Sequence, residues 1–403
     1  MKKFLCGLVF LIIIIFGIVF TVNYFLPKTD DSPADSQIDS SPSTTIETDP
    51  VQEQLDSMTL DEKIAQMLVV RCPSIIISPE EQGLLKITPY GGYILMEEAY
   101  GTLSETRSMI ENLQSFAKTP LIITTDQEGG LVQRIKGIKD QQPTDIPDMF
   151  SVGETGDTNY AKNIGRILAE ELRVIGINVD LAPDADVYSN PYNTVIGRRS
   201  FSSDPEVVAE MSQALAEGLE QNGISATFKH FPGHGNTEVD SHKDLPAIYS
   251  TREQLDAVDL VPFKNAIKNN AEFIMVGHLA LPELTSDYTP ATLSHQITTE
   301  LLRNELGYQN LIITDGLDME ALTKYYSETD IYVGAVEAGA DLLLLPINPE
   351  LAVTAIKNNI SESRIDESVY RILKYKQTYL KDYQYLNFSY FGSPEHADVV
   401  TLR

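Results

Sequence analysis

The segment Phe228-Lys229-His230-Phe231-Pro232-Gly233-His234-Gly235-Asn236-Thr237-Glu238-Val239-Asp240-Ser241-His242 joins an apolar run to a titratable loop. It opens as a strand-like stretch over 224–228 and then turns into a Gly- and Pro-containing loop with three of the chain's six histidines. Asp240 and His242 are two positions apart, a spacing at which a carboxylate can hydrogen-bond an imidazole, fix its tautomer and stabilise its charged form. An imidazole exchanges protons near neutrality without the burial that a carboxylic acid needs for the same task.

Other apolar runs also end in polar groups. Thr124-Thr125-Asp126-Gln127-Glu128-Gly129-Gly130 leads to Arg134, and Asp184 and Asp186 follow the run at 179–182. Lys229 and His230 end the run from 225, His278 ends the run from 273, and Thr314-Asp315-Gly316 ends the run from 311. One such Asp would read as a helix N-cap, and His278 alone as a buried structural histidine. Five run ends with charged or imidazole groups require a polar ligand or extensive mutual pairing, because unpaired burial is costly.

Three chemistries can use this set. Metal-dependent hydrolysis would take His230, His234, Asp240 and His242 as ligands. Metal-dependent barrel hydrolases commonly open with an H-x-H pair at the first strand, whereas this chain has Met67-Leu68-Val69-Val70-Arg71 there. Substrate-assisted glycoside hydrolysis would use Asp126 and Glu128 as an alternating pair on one side of a strand. Glycoside hydrolysis through an enzyme nucleophile would use Asp315 against the anomeric carbon, with His242 handling the proton.

The elements that must position these groups are short apolar runs at 66–71, 92–96, 121–125, 179–182, 225–230, 273–278, 311–315 and 341–345. They are rich in Ile, Val and Leu and do not alternate, as parallel strands buried on both faces do not. Helical periodicity runs between them at 160–174, 205–221 and 252–268. Eight strands with intervening helices predict an α/β fold, a (β/α)8 TIM barrel in a single catalytic domain, whose strand ends converge on one mouth. An open doubly wound sheet is the alternative, but no G-x-G-x-x-G follows the first strand to support its dinucleotide-binding form.

The chain has 403 residues and a formal net charge of -28, from 58 acidic and 30 basic residues. That balance argues against nucleic acid as a partner, since phosphate contacts need clustered Lys and Arg. Lys2 and Lys3 precede an unbroken apolar run at 4–22, nearly long enough to cross a bilayer core. The bulky Asn23-Tyr24-Phe25-Leu26-Pro27 that follows is unlike a small-residue cleavage site, which favours a retained anchor over a removed signal peptide. The preceding lysines place the remainder outside the cytoplasmic membrane, anchored there or secreted. We expect a membrane segment at 1–27, an acidic Ser/Thr/Pro-rich linker at 28–54, the barrel at 55–376 and a Tyr-rich tail at 377–403. Cys6 lies in the apolar run and Cys72 in the folded part, which argues against an internal disulfide.

The motifs Asp126-Gln127-Glu128-Gly129-Gly130 with Val132-Gln133-Arg134, Leu181-Ala182-Pro183, Arg199-Ser200-Phe201 with Asp204-Pro205, Lys229 to Gly235 with Asp240-Ser241-His242, and Ile313-Thr314-Asp315 together resemble glycoside hydrolase family 3, in its β-N-acetylhexosaminidase branch. The resemblance covers 55–376. It implies that Asp315 is a retaining nucleophile, that His242 is the general acid/base and that Asp240 orients it. It implies that Asp126, Arg134, Arg199, Lys229 and His230 clamp the sugar, that no metal or other cofactor is needed, and that Gly233 and Gly235 let the Asp-Ser-His loop move. The implied substrate is an oligosaccharide ending in β-linked N-acetylglucosamine, from cell-wall peptidoglycan or chitin, taken by a monomer. A β-glucosidase, a phosphorylase of N-acetylglucosaminides and a non-catalytic surface sugar-binding protein are the alternatives. Asn236, where the family commonly has Asp, and Gly316, where an acidic residue often follows the nucleophile, depart from the pattern.

Overall fold

The computed structural model describes residues 49–72, 75, 83, 90–238 and 240–401. Ten strands follow in chain order: β1 Leu68–Arg71, β2 Gly92–Ile94, β3 Ile122–Thr125, β4 Gln127–Gly129, β5 Val132–Gln133, β6 Val179–Asp180, β7 Ser225–Phe231, β8 Phe273–Val276, β9 Leu311–Thr314 and β10 Leu343–Leu344. Eight of them form one sheet in the order β10-β1-β2-β3-β6-β7-β8-β9. Every pairing in it is parallel. A parallel bridge between Ile313 and Leu342 joins the two outer strands and closes the barrel. All seven residues of β7 are buried, in keeping with a mostly apolar or small sequence in which only Lys229 and His230 are titratable.

The helices begin where the sequence supplies caps. The helix Thr158–Ile175 starts at Asp157, whose carboxylate accepts from Asn159 and Tyr160, and ends at Gly176 in a left-handed conformation. The Asp204-Pro205 motif is a second such start: Asp204 caps Pro205–Glu220 and proline takes the first turn. The single helix expected over 252–268 is two, Arg252–Ala257 and Val261–Lys268. Pro262 has no N–H to offer the carbonyl of Val258, and the ladder breaks there.

The expected linker boundary at 54 falls inside a helix, Pro50–Asp56, whose Val51 and Leu55 are buried. The folded unit thus begins a turn earlier than its composition suggests. The tail packs back on the barrel. Tyr383 donates to Ile177 O at 2.5 Å and Phe391 is buried, while at the barrel's last residue buried Lys376 donates to Gln66 Oε1 and Gly91 O, each at 2.7 Å. Cys72 is buried, its Sγ 3.5 Å from Met109 Sδ. The apolar run at 4–22, with Cys6, and the acidic stretch up to 48 lie outside the described residues. Among the described residues no helix is long and apolar enough to cross a membrane.

Candidate active site

A cavity of about 290 Å³ opens at the C-terminal ends of the barrel strands. Asp126, Arg134, Arg199, Lys229, His230, His242 and Asp315 all line it, and Asp240 sits behind His242. A larger cavity of about 810 Å³ touches Glu272, Asn310 and Leu311, at the opposite ends of β8 and β9. Chemistry in barrels of this kind resides at the C-terminal face of the strands. The smaller cavity is therefore the candidate site.

Asp315 follows β9 directly. Its N–H donates to Val276 O at 3.0 Å, which keeps the backbone in the β8 ladder, and its Oδ1 accepts from Gly316 N at 2.8 Å. Burial alone would raise this carboxyl, but the neighbouring His230 and His278 rings and the Gly316 N–H outweigh it and hold it near 2. It is ionised at every ordinary pH, as an attacking carboxylate must be. His278, the buried histidine at the end of the β8 run, is pinned by Thr292 Oγ1 at 2.7 Å and Gly316 O at 2.8 Å.

His242 stands at the rim. Its Nδ1 lies 3.1 Å from Asp240 Oδ1, and the same oxygen accepts its backbone N–H at 2.9 Å. Asp240 thereby fixes the ring, and Nε2 is the nitrogen left for proton transfer. The His242 side chain keeps 66% of its surface exposed, so this imidazole works in contact with solvent. The loop before it is anchored by His234, which is buried and held down to about 4 mainly by that burial. Its two ring nitrogens meet Thr237 Oγ1 at 2.7 Å and Ser241 Oγ at 3.1 Å. Gly233 has φ 128°, and a Cβ on Gly235 would lie 1.7 Å from Val187 O. Both positions require glycine for close packing in this conformation.

The floor is a net of opposite charges. Arg199 forks onto Glu128 through two bonds of 2.8 Å, and Lys229 Nζ reaches Glu128 Oε1 at 2.6 Å and Asp126 Oδ1 at 2.9 Å. Burial would raise the Glu128 carboxyl, yet the two cations push it well below the usual carboxylate range. The two cations favour its ionised form, which opposes an acid role for the Asp126–Glu128 pair. Asp126 does not belong to the same strand as Glu128: it ends β3, while Glu128 lies on the antiparallel hairpin β4–β5. Arg134 follows that hairpin, its Nε 4.0 Å from Asp126 Oδ2 and without a hydrogen-bond partner among the described residues. A buried guanidinium donor left open towards a cavity is suited to a ligand oxygen.

Behind the net, His230 Nδ1 lies 2.8 Å from Asp186 Oδ2, and Asp186 Oδ1 accepts the His230 and His234 backbone N–H groups. Burial is the largest single effect and would lower the His230 ring, but the charge and hydrogen bond of Asp186 together with Asp315 raise it overall. Asp184 is pushed up to about 7 by burial and by the neighbouring Asp186. Asp184, Asp186 and His230 bring ligand atoms within 4.8 Å of one another. This differs from the metal set weighed from the sequence as one of three chemistries, of which only His230 takes part. A metal there would have to displace the Asp186–His230 contact.

The family model described as the glycosyl hydrolase family 3 N-terminal domain matches residues 59–375. The chain belongs to glycosyl hydrolase family 3. It is 36% identical over 340 residues to the beta-hexosaminidase A of Pseudoalteromonas piscicida, an alignment covering 76% of this chain and 56% of that relative. The chain thus spans little more than half of that relative's length. It is 34% identical over 268 residues to the beta-hexosaminidase of Nitrosomonas eutropha, covering 65% and 75% of the two chains. The solved structure of a family 3 beta-N-acetylglucosaminidase from Paenibacillus sp. FPU-7 superposes with a TM-score of 0.79 at 34% identity, covering 85% of this chain and 68% of that one.

Within this family 3 barrel, the predicted residues meet at one cavity, and several unassigned ones join them. Glu128 holds two of the predicted cations; its alternation with Asp126 was the available signal. Asp184 and Asp186 sit at a strand end but bind protein groups. Ser241, Arg71 and Asp318 also line the cavity, and only Ser241 falls inside a motif. Arg71 at the mouth is shared between Glu98 at 2.9 Å and Asp318 at 3.2 Å.

Proposed function

We propose that this chain is a retaining exo-β-N-acetylglucosaminidase that removes a terminal β-linked N-acetylglucosamine from peptidoglycan- or chitin-derived oligosaccharides. The observation that carries this reading is that an ionised, half-buried Asp315 and a solvent-touching His242 oriented by Asp240 line the same small cavity. A cavity of about 290 Å³ suits a single sugar better than a long stretch of chain. The relatives named beta-hexosaminidase and beta-N-acetylglucosaminidase support the sugar assignment.

In the first step the Asp315 carboxylate attacks the anomeric carbon and protonated His242 gives its Nε2 proton to the departing glycosidic oxygen. The sugar is then esterified to Asp315. In the second step neutral His242 takes a proton from water, whose oxygen attacks the same carbon and frees Asp315. Asp126, Arg134, Arg199, Lys229 and His230 bind hydroxyl and N-acetyl oxygens, with the cations aimed by Glu128. These steps draw on side chains alone. We place the enzyme as a monomer at the outer face of the membrane through its N-terminal apolar run.

The test is the configuration of the product and the site of the intermediate. Released N-acetylglucosamine should be the β-anomer by NMR, and a slow fluorinated glycoside should label the peptide containing Asp315. An α-anomer first product, or a sugar trapped on another residue, would remove Asp315 from this role.

A further inference from the structure

The turn that presents His242 has little burial of its own. His242 and Lys243 expose 66% and 80% of their side chains, and of the residues 240–244 only Ser241 is buried. Its place is set by contacts with two other segments. On one side Ser241 Oγ meets buried His234. On the other side it meets the segment after the nucleophile: Ala321 N donates to Ser241 O at 3.3 Å, Lys324 Nζ donates to Lys243 O, and the Tyr325 hydroxyl donates to Asp244 Oδ1. That second segment is itself fixed. Leu317 N donates to Leu344 O at 2.9 Å, and Met319 N to Gly316 O at 3.2 Å. Glu320 Oε2 lies 3.0 Å from Lys324 Nζ and aims it.

The chain that leaves Asp315 therefore returns, within ten residues, to hold the turn carrying His242. We propose that Lys324 and Tyr325 are positioning residues for the proton transfer: they tether the His242 turn to the segment that follows Asp315 and so fix donor against nucleophile. The inference rests on His242 being the proton donor. The physical reason is entropy. An exposed turn must be ordered before its imidazole can address one glycosidic oxygen, and each tether removes part of that search from the reaction itself.

The readout is leaving-group dependence, which a merely structural role would not produce. A glycoside with a dinitrophenol leaving group needs no proton; chitobiose does. For Tyr325→Phe and Lys324→Met, kcat/KM on chitobiose should fall about three- to tenfold each, the worth of one hydrogen bond, and further in the double variant. The dinitrophenyl glycoside should change by about twofold at most. Lys324→Arg, which can still donate to the Lys243 carbonyl, should restore much of the loss. Equal losses on both substrates, or none, would overturn the proposal. His242→Ala measured alongside separates the two failures. If it shows the leaving-group effect and the tether variants do not, the tether alone is wrong; if it does not, the proton-donor assignment falls and takes the tether with it.

Discussion

Arg199 and Glu128 meet through two parallel hydrogen bonds, Nε to Oε2 and Nη2 to Oε1, each 2.8 Å long. Glu128 is buried and Arg199 nearly so, and Lys229 approaches the same carboxylate. One acidic side chain that touches no substrate in the proposed mechanism thus aims two cations that do.

Removing its charge should expose that dependence. Glu128→Gln leaves two buried cations short of a partner, and breaking a buried pair of this kind costs about 3–5 kcal/mol. Denaturant unfolding should show the loss, and KM for N-acetylglucosaminides should rise as Arg199 and Lys229 lose their aim. Unchanged stability would mean that Asp126 and Asp184 already balance the cations.

Asp315→Asn should abolish turnover of every substrate, whereas His242→Ala should slow chitobiose by about 10²- to 10⁴-fold and spare activated aryl glycosides in kcat/KM. Because the Asp315 carboxyl is held near 2, His242→Ala acting on the dinitrophenyl glycoside should be flat in kcat/KM from about pH 4 to pH 7. A fall across that range would place the titration of the nucleophile far above its expected position.

The tail should loosen as pH rises. Burial would lower the His396 ring, but its contacts with Glu171 and Glu170, the latter at 2.7 Å, raise it above its ordinary value. A histidine raised on folding stabilises fully below its unfolded value of about 6.5, and the contribution disappears as pH climbs through the folded value. Hydrogen exchange or limited proteolysis of residues 380–401 should therefore accelerate above neutrality, and His396→Ala should abolish that pH dependence.

The acceptor should be water. Product analysis by mass spectrometry is expected to give free N-acetylglucosamine with or without phosphate in the buffer. A sugar 1-phosphate that grows with phosphate concentration would reassign the enzyme as a phosphorylase, a reaction that an uncharged imidazole tolerates better than a carboxylate would.

The residues that line the candidate site run from Arg71 to Leu345. A chain starting at Asp49 should keep kcat and KM within about twofold, the spread expected when no contact is lost. The full chain should sediment with membranes and be open to protease added outside intact cells; a full chain found wholly in the cytosol would end the anchor proposal.

The sequence alone determined the barrel and which polar residues gather at its mouth, because both are written in short range. Each of the eight apolar runs holds an observed strand, since a segment buried on both faces must be apolar along its whole length. The Asp240–His242 contact was legible because two residues in a turn can touch only through local geometry. Local signals failed where local rules compete: the break before Pro262 was overrun by the helical period, and the hairpin Gln127–Gly129 with Val132–Gln133 is too short to alternate. Only the tertiary structure decided that Glu128 serves Arg199 and Lys229, that Asp186 holds His230, and that Lys324 and Tyr325 reach the His242 turn. Those partners are 44 to 101 positions apart or, for the last, 81. No spacing rule links residues on different strands; closure of the sheet brings them together, and the charge each must neutralise is set by burial that exists only once the barrel has formed.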